Sequence, residues 1–575
     1  MSDHEHPNDP GDTSPGHQPQ DVEQMRYGRG PGESEMQPPD FSGGHPKGLW
    51  VLFITEMWER FSYYGMRALL VLFLVATTAE PATEGIRDNP GFGWDEADAY
   101  TLYGVYTFMV YLTSIFGGFI SDRLLGTHKS MVYGGWSIAL GHIALALTEL
   151  FKFERGPMVS ADNGIGALTM FLFGLSLIII GTGFFKPCVS VMVGQLYEEG
   201  DPRRDSGFTI YYMGINLGAF LSPLVAGTLG ENVGWHWGFG SAAVGMLACL
   251  FCYQFLRPRF LKGIGEGPEN GMAKKDRPMV ALSIVGLIGI PIFPLLLWRL
   301  GGLDSVLSVW SSITDALQWY GMAILVGVLF LGSIGAFLAM QKPEERSRLA
   351  VICVLAFIAN LGFWTAFEQA GSSMNVFADQ STDRTLWGML DNPFPATWYQ
   401  SVNALTIIIC APIFSWLWVY LARRKKEPST PMKFAIGLWL LGLAFIAMVA
   451  GAWETRNGGL AGPQWLLLTY IVVTWGELCL SPVGLSMVTK LAPERLQSLM
   501  MGLWWFSFAL SNLCAGLVAR LSTKFIPQGD QPAQMTFVIE GMAGFYLLLV
   551  VVPVVIGVLI FLMSPLLRKM MKGVH

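Results

Sequence analysis

Apolar runs of about 20 residues recur along nearly the whole 575-residue chain. Wound as a helix, a run of that length crosses the ~30 Å hydrocarbon core of a bilayer. Fourteen such spans are predicted, at roughly 48–76, 99–123, 129–152, 164–197, 205–229, 236–256, 279–300, 318–341, 348–376, 397–422, 433–452, 465–491, 498–521 and 538–566. Only 14% of the residues are charged, against ~25% in an average soluble domain, and 52% are apolar. The expected class is an all-α polytopic membrane protein.

Residues 1–46 are polar, rich in Pro, Gly, Asp and Glu, and carry no apolar core. They are expected to form a disordered cytoplasmic tail rather than a signal peptide, leaving the first span as the first topogenic element. An even number of spans puts both termini on one side. Lys and Arg concentrate there, among them Arg203, Arg204, Lys274, Lys275 and the run from Arg423 to Lys426, so that side is expected to be the cytoplasm of a bacterial inner membrane. The net charge is −6. With the basic residues devoted to topology, a nucleic-acid partner is not expected.

One span breaks the apolar pattern. At about 100° per residue, Glu56, Glu59, Arg60, Tyr63, Tyr64 and Arg67 share an arc of about 140°, while Leu52, Trp58, Leu69 and Val71 cover much of the rest. Each charge facing lipid at mid-span costs roughly 2.5–3.5 kcal/mol or more, so this stripe must face a wet or paired interior. Glu56 and Arg60, four apart, can pair along the helix. A purely structural pair would leave Glu59 and Arg67 unexplained.

Three further spans carry deep charges: Lys186 beside the helix-kinking Pro187, Glu368 in Phe363–Gly371, and Glu477 in Gly476–Gly484. The deep set is therefore three cations and four carboxylates. Asn216, Gln369, Gln400, Asn403 and Ser481 lie at similar depth, with Tyr63, Tyr64, Tyr111, Tyr212, Trp364 and Trp504 as amphipathic walls. Any one of these could be helix-packing glue. Together they describe a polar cavity for a small ligand bearing both a carboxylate and an amine.

All seven cysteines lie in apolar spans. Cys249-Leu-Phe-Cys252 has redox or metal spacing, but with no second pair and no nearby His it reads as packing. Only His142 lies deep in a span, and a lone buried His is more often a hydrogen-bonded core residue than a relay. No metal, disulfide or cofactor is expected, and proton chemistry falls to carboxylates.

The segment Gly118-Phe-Ile-Ser-Asp122-Arg-Leu-Leu-Gly126-Thr-His-Lys129 resembles the cytoplasmic signature of the major facilitator superfamily. Glu56-Met-Trp-Glu59-Arg60-Phe61 with Tyr63-Tyr64-Gly65 resembles the first-helix motif of the proton-dependent oligopeptide transporter (POT) family. Tyr211-Tyr-Met-Gly-Ile-Asn216-Leu-Gly-Ala219 is similar to that family's fifth-helix signature. Lys186-Pro187, Phe363-Trp364 with Glu368-Gln369, Gln400 to Asn403, and Gly476-Glu477 with Ser481-Pro482 follow in the family's order, so the resemblance runs from about residue 47 to the end.

The resemblance implies the major facilitator fold: one six-helix bundle at 47–260, a linker at 261–345 carrying two extra, peripheral transmembrane helices, and a second bundle at 346–575. It implies a proton-driven symporter that imports di- and tripeptides by alternating access around a midplane site, with no cofactor, expected to work as a monomer. On this pattern Arg60 and Lys186 receive the peptide carboxylate. Glu477, with Asn216 and Asn403, holds the ammonium, and Ser481 is a further substrate-binding residue. Tyr63, Tyr64, Tyr111 and Tyr212 line the site, and Trp364 and Trp504 shape side-chain pockets. Glu56 and Glu59 are the proton acceptors beside Arg60, and Arg67 with Glu368 forms an outer gate. Animal members carry a proton-linked His in the second helix. Here that place holds Tyr103-Gly104, so a His-dependent scheme does not transfer.

Relatives that carry nitrate or other small anionic metabolites could use the same basic pair, although Glu477 opposite it favours a zwitterion. A membrane enzyme or a sensor is the other class of reading. No span shows a nucleophile with a base at helical spacing, an intramembrane metal pair or a phosphate-binding glycine loop. A channel would present a like-charged ring rather than opposed charges.

Overall fold

The four charges of the first span do not interrupt it: Lys47–Val75 is one unbroken helix (α1) of 29 residues, about 43 Å long. It belongs to a computed structural model that describes residues 44–76, 89–150, 165–198, 201, 203–268, 271–299, 331–527 and 532–571. The expected tail at 1–46 lies almost wholly outside the described residues. So does most of the expected span at 318–341, of which 331–339 are helical.

After α1 come α2 (Glu96–Ile120), α3 (Thr127–Leu147), α4 (Ile165–Gln195), α5 (Arg204–Ser222), α6 (Thr228–Asn232) and α7 (Trp235–Phe260). The linker contributes α8 (Arg277–Arg299). Then follow α9 (Pro343–Val354), α10 (Leu361–Phe367), α11 (Ser373–Gln380), α12 (Trp398–Arg423), α13 (Thr430–Glu454), α14 (Gln464–Leu491), α15 (Gln497–Ser522) and α16 (Gly541–Met570). Among the described residues no strand forms beyond isolated bridges such as Thr382 with Ala461. Eleven described helical stretches are long and apolar enough to cross a membrane. The charged α1 makes a twelfth of comparable length.

Three spans are not simple helices: Ser121–Leu125, a π-helical turn, ends the span that α2 begins. Pro223–Gly227 is a π-helical turn that joins α5 to α6, and Leu355–Asn360 is another, joining α9 to α10. A π turn rotates the face that follows it, a device common near functional sites. The short 3₁₀ turn Glu368–Gly371 then separates α10 from α11.

Helices α1 to α7 pack as one group, with α1 against α5 and α7, and α4 against α2 and α3. A second group sets α13 against α14 and α16, α10 against α15, and α12 against α14. Helix α8 packs against α2 and α4.

The groups meet through α2 with α15 and α5 with α12. Gly104 and Gly516 make the first meeting possible: a Cβ on either would stand 2.8 Å or less from the other's Cα. Asn375 Nδ2 donates to the Ala68 carbonyl at 2.8 Å, Ser401 Oγ to the Phe220 carbonyl at 2.8 Å, and Trp398 Nε1 to Thr228 Oγ1 at 2.9 Å. These ties gather toward the Val75 end of α1, where one apolar core takes in both groups, from Leu69 and Phe171 to Phe377 and Tyr546. A second core, around Leu49, Met131, Phe185 and Tyr253, belongs to the first group alone and lies toward the Lys47 end.

Candidate functional site

The stripe on α1 lies where the two groups face each other, and Glu56, Glu59, Arg60 and Arg67 are all buried. Arg60 Nε donates to Glu56 Oε1 at 2.8 Å, the pairing expected from the one-turn spacing. Glu59 Oε2 stands 2.7 Å from the same Nε but off its N–H axis, so this buried oxygen accepts no hydrogen bond. From α5, Tyr211 reaches Glu56. Tyr212, the tyrosine expected to line the site, turns toward Asn216 and Glu477; Tyr211 was not among the expected site residues.

Two turns further along α1, Arg67 pairs with Glu368 of the second group, as the resemblance implied. Its Nε also donates to the Tyr103 hydroxyl at 2.6 Å. Tyr103 was read only as the residue replacing a histidine; the structure makes it part of the same lock. Glu368 sits on the 3₁₀ turn after α10, which points it across at α1.

The remaining charges are placed differently. Lys186, half-buried on α4 one residue before Pro187, holds its ammonium 3.3 Å from the centroid of the Tyr111 ring, with the Trp505 ring at 5.8 Å. Glu477 on α14 accepts from Asn403 Nδ2 at 3.1 Å, and that amide also donates to Thr474 Oγ1 at 2.8 Å. Among the described residues neither Lys186 nor Glu477 has an ion-pair partner. Tyr64 lies within electrostatic reach of Arg60, Arg67, Glu368 and Glu477, tying the stripe to the second group. Tyr63 is buried with a hydroxyl that has no partner.

The expected walls need one correction. Trp504 is fully buried inside the second group, against Gly484 and Phe434, and its indole N–H has no partner. Its neighbour Trp505, 36% exposed, is the one that faces Lys186. Adjacent helical residues point about 100° apart, so a pair of consecutive tryptophans could not be assigned by type alone. Trp364 stacks at 4.8 Å on Phe508, which also meets Tyr111 at 6.3 Å and Trp505 at 5.3 Å. Phe508 and Asn360, whose Oδ1 accepts from Trp364 Nε1 at 3.0 Å, carried no signal in the sequence.

The uncharged polar residues divide in two. Asn403 reaches Glu477, and Ser481 on the same helix keeps a buried hydroxyl without a partner. Asn216 donates to the Tyr212 carbonyl of its own helix at 2.9 Å, and Gln369 bridges Thr365, Ser373 and Ala515. Those two serve packing in this state. His142 is fully buried, away from these charges, with neither ring nitrogen partnered. No group of three metal-ligating side chains occurs among the described residues, and the seven cysteines are unpaired.

The site is therefore closed at the Val75 end, and Tyr212 beside it is 40% exposed. Facing charges, one sealed end and two packed helical groups are the geometry of a transporter rather than a pore.

The family model described as "POT family" matches residues 128–535. The chain belongs to that family. Among its POT relatives, "Peptide transporter YePEPT" of Yersinia enterocolitica is 38% identical, the alignment spanning 83% of this chain and 88% of the relative. "Di-/tripeptide transporter" of Lactococcus lactis is 35% identical over 92% of this chain and 98% of that one. A solved POT family transporter in complex with a thioalcohol-conjugated peptide superimposes with a TM-score of 0.74 at 31% identity, covering 92% of this chain and 98% of the other. The helices take the major facilitator fold that POT structures share.

Proposed function

We propose that this protein is a proton-coupled symporter that imports di- and tripeptides across a bacterial inner membrane by alternating access. The observation that carries this reading is the pair of charges without counter-ions, Lys186 on the first group and Glu477 on the second. A buried charge left unpaired costs several kcal/mol, so each is held ready for a ligand group of opposite sign. A peptide zwitterion supplies both. Its carboxylate meets Lys186 within the Tyr111 and Trp505 rings, and its ammonium meets Glu477 beside Asn403. Relatives named as peptide and di-/tripeptide transporters, and a peptide-bound relative, support the ligand class.

Arg60 is committed to Glu56 and Glu59 in this state, so it acts on the peptide carboxylate only when one of those glutamates is neutralised. Glu59 is the better placed to take a proton, because its Oε2 has no donor. Proton uptake there loosens Arg60, and peptide binding is linked to it through that one guanidinium. With the termini in the cytoplasm, the sealed Val75 end faces outward, and Arg67 with Glu368 and Tyr103 is the outer gate. Protonating Glu368 removes the charge that Arg67 holds, which frees the gate.

Purified protein in liposomes tests the reading through dialanine uptake. Uptake is expected to need an inward proton gradient and to be abolished by a protonophore. Uptake indifferent to the gradient contradicts the symport, and nitrate uptake without peptide uptake contradicts the substrate.

A further inference from the structure

We infer that Glu231 is a second outer latch, a positioning residue that holds the two helical groups closed at the Val75 end independently of Arg67 and Glu368. This rests on the alternating-access reading above, but not on the identity of the substrate.

Glu231 lies on the short helix α6, at the end of the fifth span, and the partners of its carboxylate belong to the second group. Its carboxylate accepts from the Ala396 N–H at 2.7 Å, the Thr397 N–H at 3.0 Å and the Thr397 hydroxyl at 2.7 Å. Arg384 NH1 stands 3.5 Å away. Thr397 is the N-cap of α12, so a carboxylate from one group caps a helix of the other. The N–H groups of Ala396 and Thr397 point at the carboxylate, and the positive end of the helix dipole favours an anion at that place.

The partners form a bracket. Residues 381–397 connect α11, at the end of the gate-bearing span, to α12. Arg384 donates from NH1 to the Phe394 carbonyl at 2.8 Å and from NH2 to Asp379 Oδ1 at 2.9 Å. Asp383 accepts from the Thr385 hydroxyl and from the N–H groups of Thr385 and Trp387, bonds that hold its carboxyl below the usual range. One carboxylate therefore grips both arms of a stiff loop that ends the gate span and begins the next.

The sequence makes room for the grip. A Cβ at Gly227, four residues before Glu231, would stand 1.9 Å from Thr397 Oγ1. Any larger residue there must push Thr397 away. When the Val75 end opens, Glu231 has to leave donors that its own group does not replace, while Arg384 keeps Asp379. The latch therefore weights the equilibrium toward the outward-closed state.

Intact cells treated with a membrane-impermeant maleimide test this, with a Ser401→Cys reporter read against the same protein lacking it. Ser401 is buried at the seam, 3% exposed, and is uncovered only when that end opens. Glu231→Gln keeps the shape and removes the charge, and should raise the labelling rate about tenfold, the effect of losing hydrogen bonds to one charged group. Gly227→Ala should raise it in the same direction by displacing Thr397, and Glu231→Asp should fall between. A merely structural role would lower the amount of protein without raising the rate. Unchanged rates in both Glu231→Gln and Gly227→Ala overturn the latch. Should Glu231→Gln not reach the membrane, Gly227→Ala decides alone. Labelling needs no peptide, so failed dialanine uptake beside a responsive reporter would remove the substrate and keep the latch.

Discussion

The charges of α1 and Glu477 of α14 are buried and Lys186 of α4 is half-buried, yet the two sets are treated in opposite ways. Arg60 and Arg67 are saturated by the protein itself, through Glu56, Glu59, Glu368 and Tyr103. Lys186 has only aromatic faces and Glu477 only an amide. Burial alone therefore does not mark a binding group. On the proposed reading, saturated charges serve gates and proton exchange, where partners are traded within the protein, and unsaturated ones receive a ligand from outside.

That contrast is broken most sharply by truncating one cation of each kind. Arg60→Ala strands Glu56 and Glu59 and should cost about 3–5 kcal/mol of stability, the scale for breaking a buried pair, abolishing both gradient-driven uptake and peptide exchange. Lys186→Ala removes no ion pair. Its thermal unfolding in detergent should stay close to the parent's while dialanine binding is lost. Equal destabilisation of the two variants would erase the distinction.

A smaller effect separates the two glutamates beside Arg60. Glu59→Gln mimics a protonated Glu59 whose Oε2 had no donor to lose, so exchange at equal pH on both sides should survive while the accumulation ratio under a gradient falls about tenfold or more. Loss of exchange as complete as in Arg60→Ala would make Glu59 a packing or binding group and move the proton site to Glu368 or Glu477.

The sequence showed the α1 stripe in full because helical period and the cost of charge in lipid act on one continuous segment. The partner of Arg67 was not readable that way. Glu368 is 301 residues away, and only the family resemblance connected the two. Trp505 was missed in favour of Trp504 because the two are the same residue type and differ only in the face they present, about 100° apart, and the sequence does not say which face of that helix meets the site. Tyr103 was weighed for what it replaces rather than for what its hydroxyl can reach. Glu231 was passed over as a charge at a span end, where charges are cheap. Its role depends on a π turn and on the bracket at 381–397, neither of which has a periodic signature.

Binding of dialanine and of N-acetyl-dialanine to the wild type and to Glu477→Gln decides whether the unsaturated pair reads a zwitterion. Glu477→Gln should weaken dialanine binding by about 2–5 kcal/mol, the scale for removing one partner of a buried charge pair. N-acetyl-dialanine, which has no ammonium and should bind the wild type poorly, should lose far less. An equal loss for both ligands would show that Glu477 supports the fold of the site rather than the ligand, and the assignment of opposed charges to a peptide's two ends would fall.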